Sequence, residues 1–342
     1  MKRRHFFQNA GALSAGIALG VSDGLLAAQQ KADYKKNPFI IGINGHKITY
    51  NVPNLSQKVK IMHVTDTHLW RDDERGVKFR EYSGRMAKAY NKTKHFLSGK
   101  PTHPEEAFEA TLEIAKQEKA DAITLTGDLF SFPSEAAIEW AFDRLEKTGI
   151  PYFYSSGNHD WHYEGMKGSL HELRETWINE RLLPLYKGRN PLMYAVEVKG
   201  INVVNIDNSY YEILPEQLEF YKAEAKKGKP LLLMMHIPLY APGRSLGYGC
   251  GHPDFNAQND RNFELERRQR WPENGHSSAT MEFHKAVFNT NNLLGVFAGH
   301  IHRQTIDWAK GIPQFLTSPN AFGGYLDVDF LPMEKSDKSK FT

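Results

Sequence analysis

Five apolar runs in this chain end in the same way, and that shared ending limits the folds open to it. "KVKIMHVTDTH" passes into Asp66 and His68, "DAITLTGD" into Asp128, "PYFYSSGNHD" into Asn158, His159 and Asp160, "KPLLLMMHIP" into His236, and "LLGVFAGHIH" into His300 and His302. Short apolar runs closed by turn residues read as buried strands. The helical patterns from Pro104 to Glu118 and from Ser134 to Lys147 separate the first three. A β-α-β-α-β alternation argues for neighbouring parallel strands with helices packed outside. Parallel strands bring their C-terminal ends to one rim, where loops leave the rigid layer and functional groups collect.

Other segments fill out the architecture. Pro38 to Val52 reads as a hairpin around Asn44-Gly45, placed at a sheet edge. "LMYAVEVKG" and "INVVNIDNS" are strands that meet at Gly200, followed by a helix from Pro215 to Lys226. A helix near Ser278 to Thr290 and the strands "QTIDWA" and "IPQFLTS" come later, and more antiparallel pairing is expected in this second half. Two packed sheets with outer helices accommodate all of it. With 40% hydrophobic residues over 342 positions, one elaborated domain has ample core. The expected organisation is a leader at 1–28, a linker and hairpin at 29–58, a main domain at 59–332 with insertions at 70–103 and 240–276, and a polar tail at 333–342.

The leader is a separate matter. "MKRRHFFQNAGALSAGIALGVSDGLLAAQQ" has a basic start, a short apolar middle and small residues before a polar run, which is a signal-peptide pattern. Arg3-Arg4 before His5, Phe6 and Phe7 resembles the bacterial twin-arginine signal. Cleavage is expected near Ala27 or Ala28, with the twin-arginine export machinery as partner and the periplasm as destination. The apolar run from Ala10 to Val21 is shorter than the ~20 residues that span a bilayer, so no stable membrane span is expected. Removing 1–28 takes Lys2, Arg3, Arg4 and Asp23 from a chain of net charge +3, leaving it close to neutral. No basic patch remains to attract nucleic acid. The single cysteine, Cys250, precludes an intramolecular disulfide.

Chemistry explains the polar endings. Asp-x-His arises by chance roughly once in a chain of this composition, whereas Gly-Asn-His-Asp is expected only a few times in about a thousand such chains. Residues two apart on an extended strand point to one side, so Asp66 with His68, and His300 with His302, could each present two donors to one ion. Asp128 offers two oxygens that could bridge a pair of cations, and Asn158 offers a neutral carbonyl oxygen.

In full and in order, these fragments match the pattern D-x-H, G-D, G-N-H-D, H, G-H-x-H, and from about Val59 to Ser318 the chain resembles the calcineurin-like metallophosphoesterases. The resemblance implies an α/β (α+β) four-layer sandwich, two mixed β-sheets flanked by helices, with a dimetal site at the strand C-terminal ends. It implies two divalent or trivalent ions, for which His, Asp and Asn ligands suit Mn, Fe, Zn or Ni. One ion would take Asp66, His68, Asp128 and His302, and the other Asp128, Asn158, His236 and His300. His159 would be a catalytic residue outside both ligand sets. The implied reaction is hydrolysis of a phosphomonoester or phosphodiester in a small phosphorylated substrate by metal-activated hydroxide. A non-catalytic metal-binding or scaffold protein of the same fold would show a broken ligand set or no His159, and neither is seen. A nuclease would show a basic groove, against which the charge balance speaks.

Some residues carry blander readings. His63, inside an apolar strand, reads as a core histidine. Asp160 either orients His159 or caps the following turn. Asp207-Asn208 reads as a turn-forming pair or as support for the ligands. Tyr82, Arg85, Tyr240, Arg244 and Tyr248 are candidates to line a cleft or to lie in solvated loops.

Overall fold

In the computed structural model, which describes residues 39–89, 93–242 and 276–333, the apolar runs become strands. They are β1 (Ile40–Asn44), β2 (Lys47–Val52), β3 (Val59–Val64), β4 (Thr93–Lys94), β5 (Pro101–Thr102), β6 (Ala122–Thr126), β7 (Tyr152–Ser155), β8 (Met193–Val198), β9 (Ile201–Ile206), β10 (Leu231–Met234), β11 (Leu293–Ala298), β12 (Thr305–Ala309), β13 (Ile312–Leu316) and β14 (Leu326–Pro332). Two six-stranded sheets result, in the orders β1-β2-β14-β3-β6-β7 and β12-β13-β11-β10-β9-β8, with β4-β5 as a small separate pair. The leader with Arg3-Arg4, Arg244, Tyr248, Cys250 and nearly all of the polar tail lie outside the described residues.

Local sequence sets the helix limits. The helix Glu135–Thr148 begins where Ser134 accepts a hydrogen bond from the Ala137 amide, and it stops at Gly149 in the left-handed region. Pro104–Gln117 opens with proline in its first turn and two glutamates behind it. Both helices pack into the large core that also fills the space between the sheets.

Period-two alternation divides the second sheet between two cores. Ile201 and Val203 of β9 and Leu232 and Met234 of β10 join the core that runs between the sheets. Val204, Ile206, Leu231 and Leu233 face the other way, with Leu218, Tyr221, Phe283 and Val287 from the helices Pro215–Lys226 and Ser278–Val287. Each such aliphatic side chain contributes roughly 1.5–3 kcal/mol when fully buried. Two tyrosine hydroxyls tie the sheets together, Tyr50 donating to the Leu294 carbonyl at 3.0 Å and Tyr194 to the Tyr154 carbonyl at 2.8 Å. His63 is a core residue, its ring nitrogens 2.9 Å from Thr126 Oγ1 and 3.0 Å from Thr317 Oγ1. Burial pushes its pKa down to about 3, so the ring is neutral at pH 7.

One expectation needs correction. The second sheet is parallel from β9 through β10 and β11 to β13, and antiparallel only at its edges, β8-β9 and β12-β13. The helices Pro215–Lys226 and Ser278–Val287 lie between parallel strands, which require such crossovers. The hairpin does extend the first sheet, but through β14, which inserts between β2 and β3. That strand drew no expectation although the alternation of Leu326, Val328 and Phe330 with Asp327 and Asp329 is itself a strand pattern. The structure accommodates both with Lys60, whose Nζ lies 2.6 Å from Asp327 and 3.2 Å from Asp329. Among the described residues no helix is long and apolar enough to cross a membrane.

Candidate metal centre

The strand ends set the positions of the polar residues. Asp66, Asp128, His236 and His300 each follow the last residue of β3, β6, β10 and β11 by two positions, and Asn158 follows β7 by three. Beyond those ends the chain is not extended. Asp66, His68, Asp128, His300 and His302 all adopt left-handed backbone, with φ of 52°, 52°, 47°, 70° and 53°. The one-side argument for residues two apart therefore fails: Asp66 and His68 do enter one donor group, but His300 and His302 enter different ones. Left-handed φ at both members, rather than strand alternation, directs them. Non-glycine residues there cost roughly 1 kcal/mol or more each and persist only where surroundings over-determine them. Here the Asp66 amide donates to the Gly127 carbonyl at 3.0 Å, His68 to Asp128 at 2.9 Å and Leu69 to Leu129 at 2.9 Å, so the loops after β3 and β6 run paired.

Donor atoms converge in two groups that share one residue. Ligand atoms of Asp66, His68, Asp128 and His302 lie within 4.8 Å of one another, and so do those of Asp128, His236 and His300. His68 Nε2 is 3.0 Å from His302 Nε2, and His236 Nε2 is 3.2 Å from both His300 Nδ1 and the Asn158 side-chain oxygen. Asp128 Oδ2 faces His236 Nε2 at 3.3 Å and His68 Nε2 at 3.9 Å. Imidazole nitrogens aimed at one another, at carboxylates and at an amide oxygen form a donor set that suits cations.

The remaining atoms of these side chains are tied down. His236 Nδ1 lies 2.8 Å from the Thr126 carbonyl, which fixes Nδ1 as the donor and leaves Nε2 to face the centre. Asp128 Oδ1 accepts the backbone N–H of His159 at 2.8 Å, so Oδ2 alone is presented to both groups. Asp66 Oδ2 accepts the His300 amide and the Thr65 hydroxyl, each at 2.9 Å, while Oδ1 lies 3.3 Å from His302 Nε2. Burial opposes ionisation of Asp128, but His236 and its other histidine neighbours hold its carboxyl well below the usual range. Burial likewise opposes protonation of His236, yet Asp128 raises its pKa to about 10.

Two motif glycines are needed for close approach. A Cβ on Gly299 would fall on Thr65 Oγ1 and Asp66 Oδ2, and one on Gly157 would fall on Asp128 Oδ1. Asp160 proves to be a tie between loops, because its carboxylate accepts the amides of Gly157 at 2.7 Å and Phe130 at 2.8 Å. The His159 imidazole belongs to neither donor group and sits with its ring 5.2 Å from that of His68. Of the cleft candidates, Arg85 forms an ion pair with Glu164. Sequence reasoning passed over Asn320, whose amide donates to the Thr65 carbonyl at 2.8 Å and whose side-chain oxygen accepts the Thr67 hydroxyl at 3.3 Å. No local pattern announces it.

The sequence profile of the calcineurin-like phosphoesterases matches residues 59–304, the span that carries every one of these ligand positions. The chain belongs to the calcineurin-like phosphoesterase family. It is also similar to a probable cyclic nucleotide phosphodiesterase of Moraxella catarrhalis (strain BBH18), 32% identical over 90 residues that make up 26% of this chain and 31% of that protein. A second probable cyclic nucleotide phosphodiesterase, from Psychrobacter sp. (strain PRwf-1), is 25% identical over 229 residues, 64% of this chain and 58% of that protein. The chain thus spans less than two thirds of the length of either curated relative. Among solved structures it is similar to a dimetal phosphatase from Danio rerio, with 10% identity, a TM-score of 0.47, and coverage of 78% of this chain and 89% of that one. Another is the purple acid phosphatase of yellow lupin (Lupinus luteus) seeds, with 13% identity, a TM-score of 0.44, and coverage of 82% and 47%.

Gly299→Ala should displace Asp66 and Thr65 together, lowering stability by about 1–3 kcal/mol, the usual cost of overpacking. Bound metal should fall with it. Gly42→Ala is the control, since its nearest neighbour would be the Thr49 carbonyl at 4.0 Å. Denaturant melts and elemental analysis read both effects, and equal stability and metal content in the two variants would contradict the close-approach argument.

Proposed function

We propose that this protein is an exported dinuclear-metal phosphoesterase that hydrolyses a small phosphorylated substrate, with a phosphodiester such as a cyclic nucleotide as the first class to test. The observation that carries the reading is the pair of donor groups meeting at one oxygen of Asp128. In it, Asp66, His68, Asp128 and His302 would hold one ion, and Asp128, Asn158, His236 and His300 the other. Bound there, two cations neutralise phosphoryl oxygens and lower the pKa of water at the site. The names of the two curated relatives favour a phosphodiester over a monoester.

The chain's own residues supply the rest. Asp128 turns one oxygen to the centre because the His159 amide holds the other. His236 commits Nδ1–H to the Thr126 carbonyl, so Nε2 is the nitrogen that would give up its proton to a cation. His159, next to His68 and outside both donor groups, meets the substrate, where its ring N–H donates to a phosphoryl oxygen or protonates the leaving oxygen. Export rests on Arg3-Arg4 and the apolar run after them.

His159→Asn should leave metal content and folding near those of the unmodified protein and lower turnover of a cyclic nucleotide by roughly 100-fold or more. A nitrophenyl ester, with its acidic leaving group, should suffer less if the ring gives up a proton. Unchanged turnover on every ester, or loss of a metal, contradicts the role. Replacing Arg3 and Arg4 by lysine should strand unprocessed precursor inside the cell, as immunoblots of cell fractions would show. Normal amounts of processed protein in the periplasm would exclude the twin-arginine route.

A further inference from the structure

Three consecutive residues with no place in the ligand motif, Asp207-Asn208-Ser209, form the turn that follows β9, and all three are buried. Each grips a loop that supplies the centre. The Asn208 side chain makes a two-point contact with Ile237, the residue after His236. Its Nδ2 donates to the Ile237 carbonyl at 2.7 Å, and its Oδ1 accepts the Ile237 amide at 3.0 Å. Asp207 Oδ2 accepts the hydroxyl of Ser156, just before Gly157-Asn158, at 2.7 Å. Ser209 Oγ accepts the indole N–H of Trp161, just after Asp160, at 2.8 Å.

The turn itself is anchored from the opposite side. Arg174, on the helix Leu170–Trp177, donates through Nε to Asp207 Oδ2 at 2.9 Å, the Ser209 amide donates to Asp207 Oδ1 at 2.8 Å, and Gln217 Nε2 donates to the Asp207 carbonyl at 2.6 Å. The two loops held in this way carry His236 and Asn158, whose ligand atoms lie 3.2 Å apart. Both belong to the group that includes Asp128 and His300. The loop bearing Asp66 and His68 is braced elsewhere, by Asn320 and by the paired loop after β6.

We propose that Asp207-Asn208-Ser209 is a brace that sets the affinity of the Asp128, Asn158, His236 and His300 group without setting that of the other group, with Asn208 as its principal positioning residue. This rests on the reading that the two groups hold metal ions. Residue 237 follows a histidine that must present one nitrogen within a few tenths of an ångström of a fixed place. Pairing both its amide and its carbonyl leaves that backbone no freedom to slide or tilt. Losing partners of this kind typically costs 10–100-fold in metal affinity. It also leaves a buried N–H and C=O unpaired, which a purely structural contact would register as lost stability alone.

The test is a calorimetric titration of the chelator-stripped full chain with Mn2+, comparing the unmodified protein with Asn208→Leu, which keeps the number and branching of heavy atoms and removes both hydrogen bonds. Thermal melts of each protein with and without Mn2+ accompany it. The unmodified chain should take two Mn2+, and the variant should keep one site unchanged while the other weakens 10-fold or more. Should Asn208→Leu fail to fold, the smaller Asn208→Ala replaces it, with the same expectation of one site unchanged and the other weakened 10-fold or more. Unchanged affinities with a fall in melting temperature that is the same with and without Mn2+ would overturn the brace and leave a structural contact. Equal weakening of both sites would overturn its selectivity. If the unmodified chain bound no Mn2+, the metal reading itself would fail, an outcome distinct from the other two.

Discussion

Two backbone amides hold the centre in register. The His300 N–H holds the Asp66 carboxylate, and the His159 N–H holds that of Asp128. In each case an acid from one motif is fixed by the main chain of another, and the Asp66–His300 contact joins the first sheet to the second. A carboxylate that accepts a backbone N–H is held more rigidly than one left to solvent, and charge-assisted bonds of this kind are among the stronger hydrogen bonds. The glycines before His300 and Asn158 are the sites where this contact requires that no Cβ intervene.

Such a cluster is costly. Two buried carboxylates face four histidines, several on left-handed backbone, in a region with little water to screen them. The surrounding fold keeps it in place. Parallel strands deliver the segments, paired loops fix their main chains, and Asp160, Asn320 and the turn after β9 hold the loops from outside. Cations bound there would relieve what remains, because they would convert repulsion between facing donors into coordination. Stability and metal affinity are therefore linked properties of one structure.

Much of this could be read from the sequence, for identifiable reasons. Asp66, His68, Asp128, Asn158, His236, His300 and His302 sit at fixed distances from apolar runs, so both their existence and their shared rim follow from strand order. The left-handed backbone at five of them could not be read, since nothing in an Asp or His side chain demands positive φ. β14 was legible in the alternation of Leu326, Val328 and Phe330 with two aspartates and was passed over, whereas the pairing of both aspartates with Lys60, remote in sequence, could not be read. Asp207-Asn208 left two readings open, a turn-forming pair or support for the ligands, because the contact that decides between them reaches a partner 29 positions away. The helix Leu170–Trp177 was legible and passed over, for Ser169 and Glu172 form a capping box three residues apart.

The central claim is that one oxygen of Asp128 joins two metal ions. Anomalous diffraction from crystals of the Mn2+-loaded protein tests it most directly, because it places the ions without assuming their ligands. The account predicts two peaks, one beside Asp66, His68 and His302 and one beside Asn158, His236 and His300, with Asp128 Oδ2 in contact with both. A single peak, or two peaks with Asp128 touching only one, would contradict it.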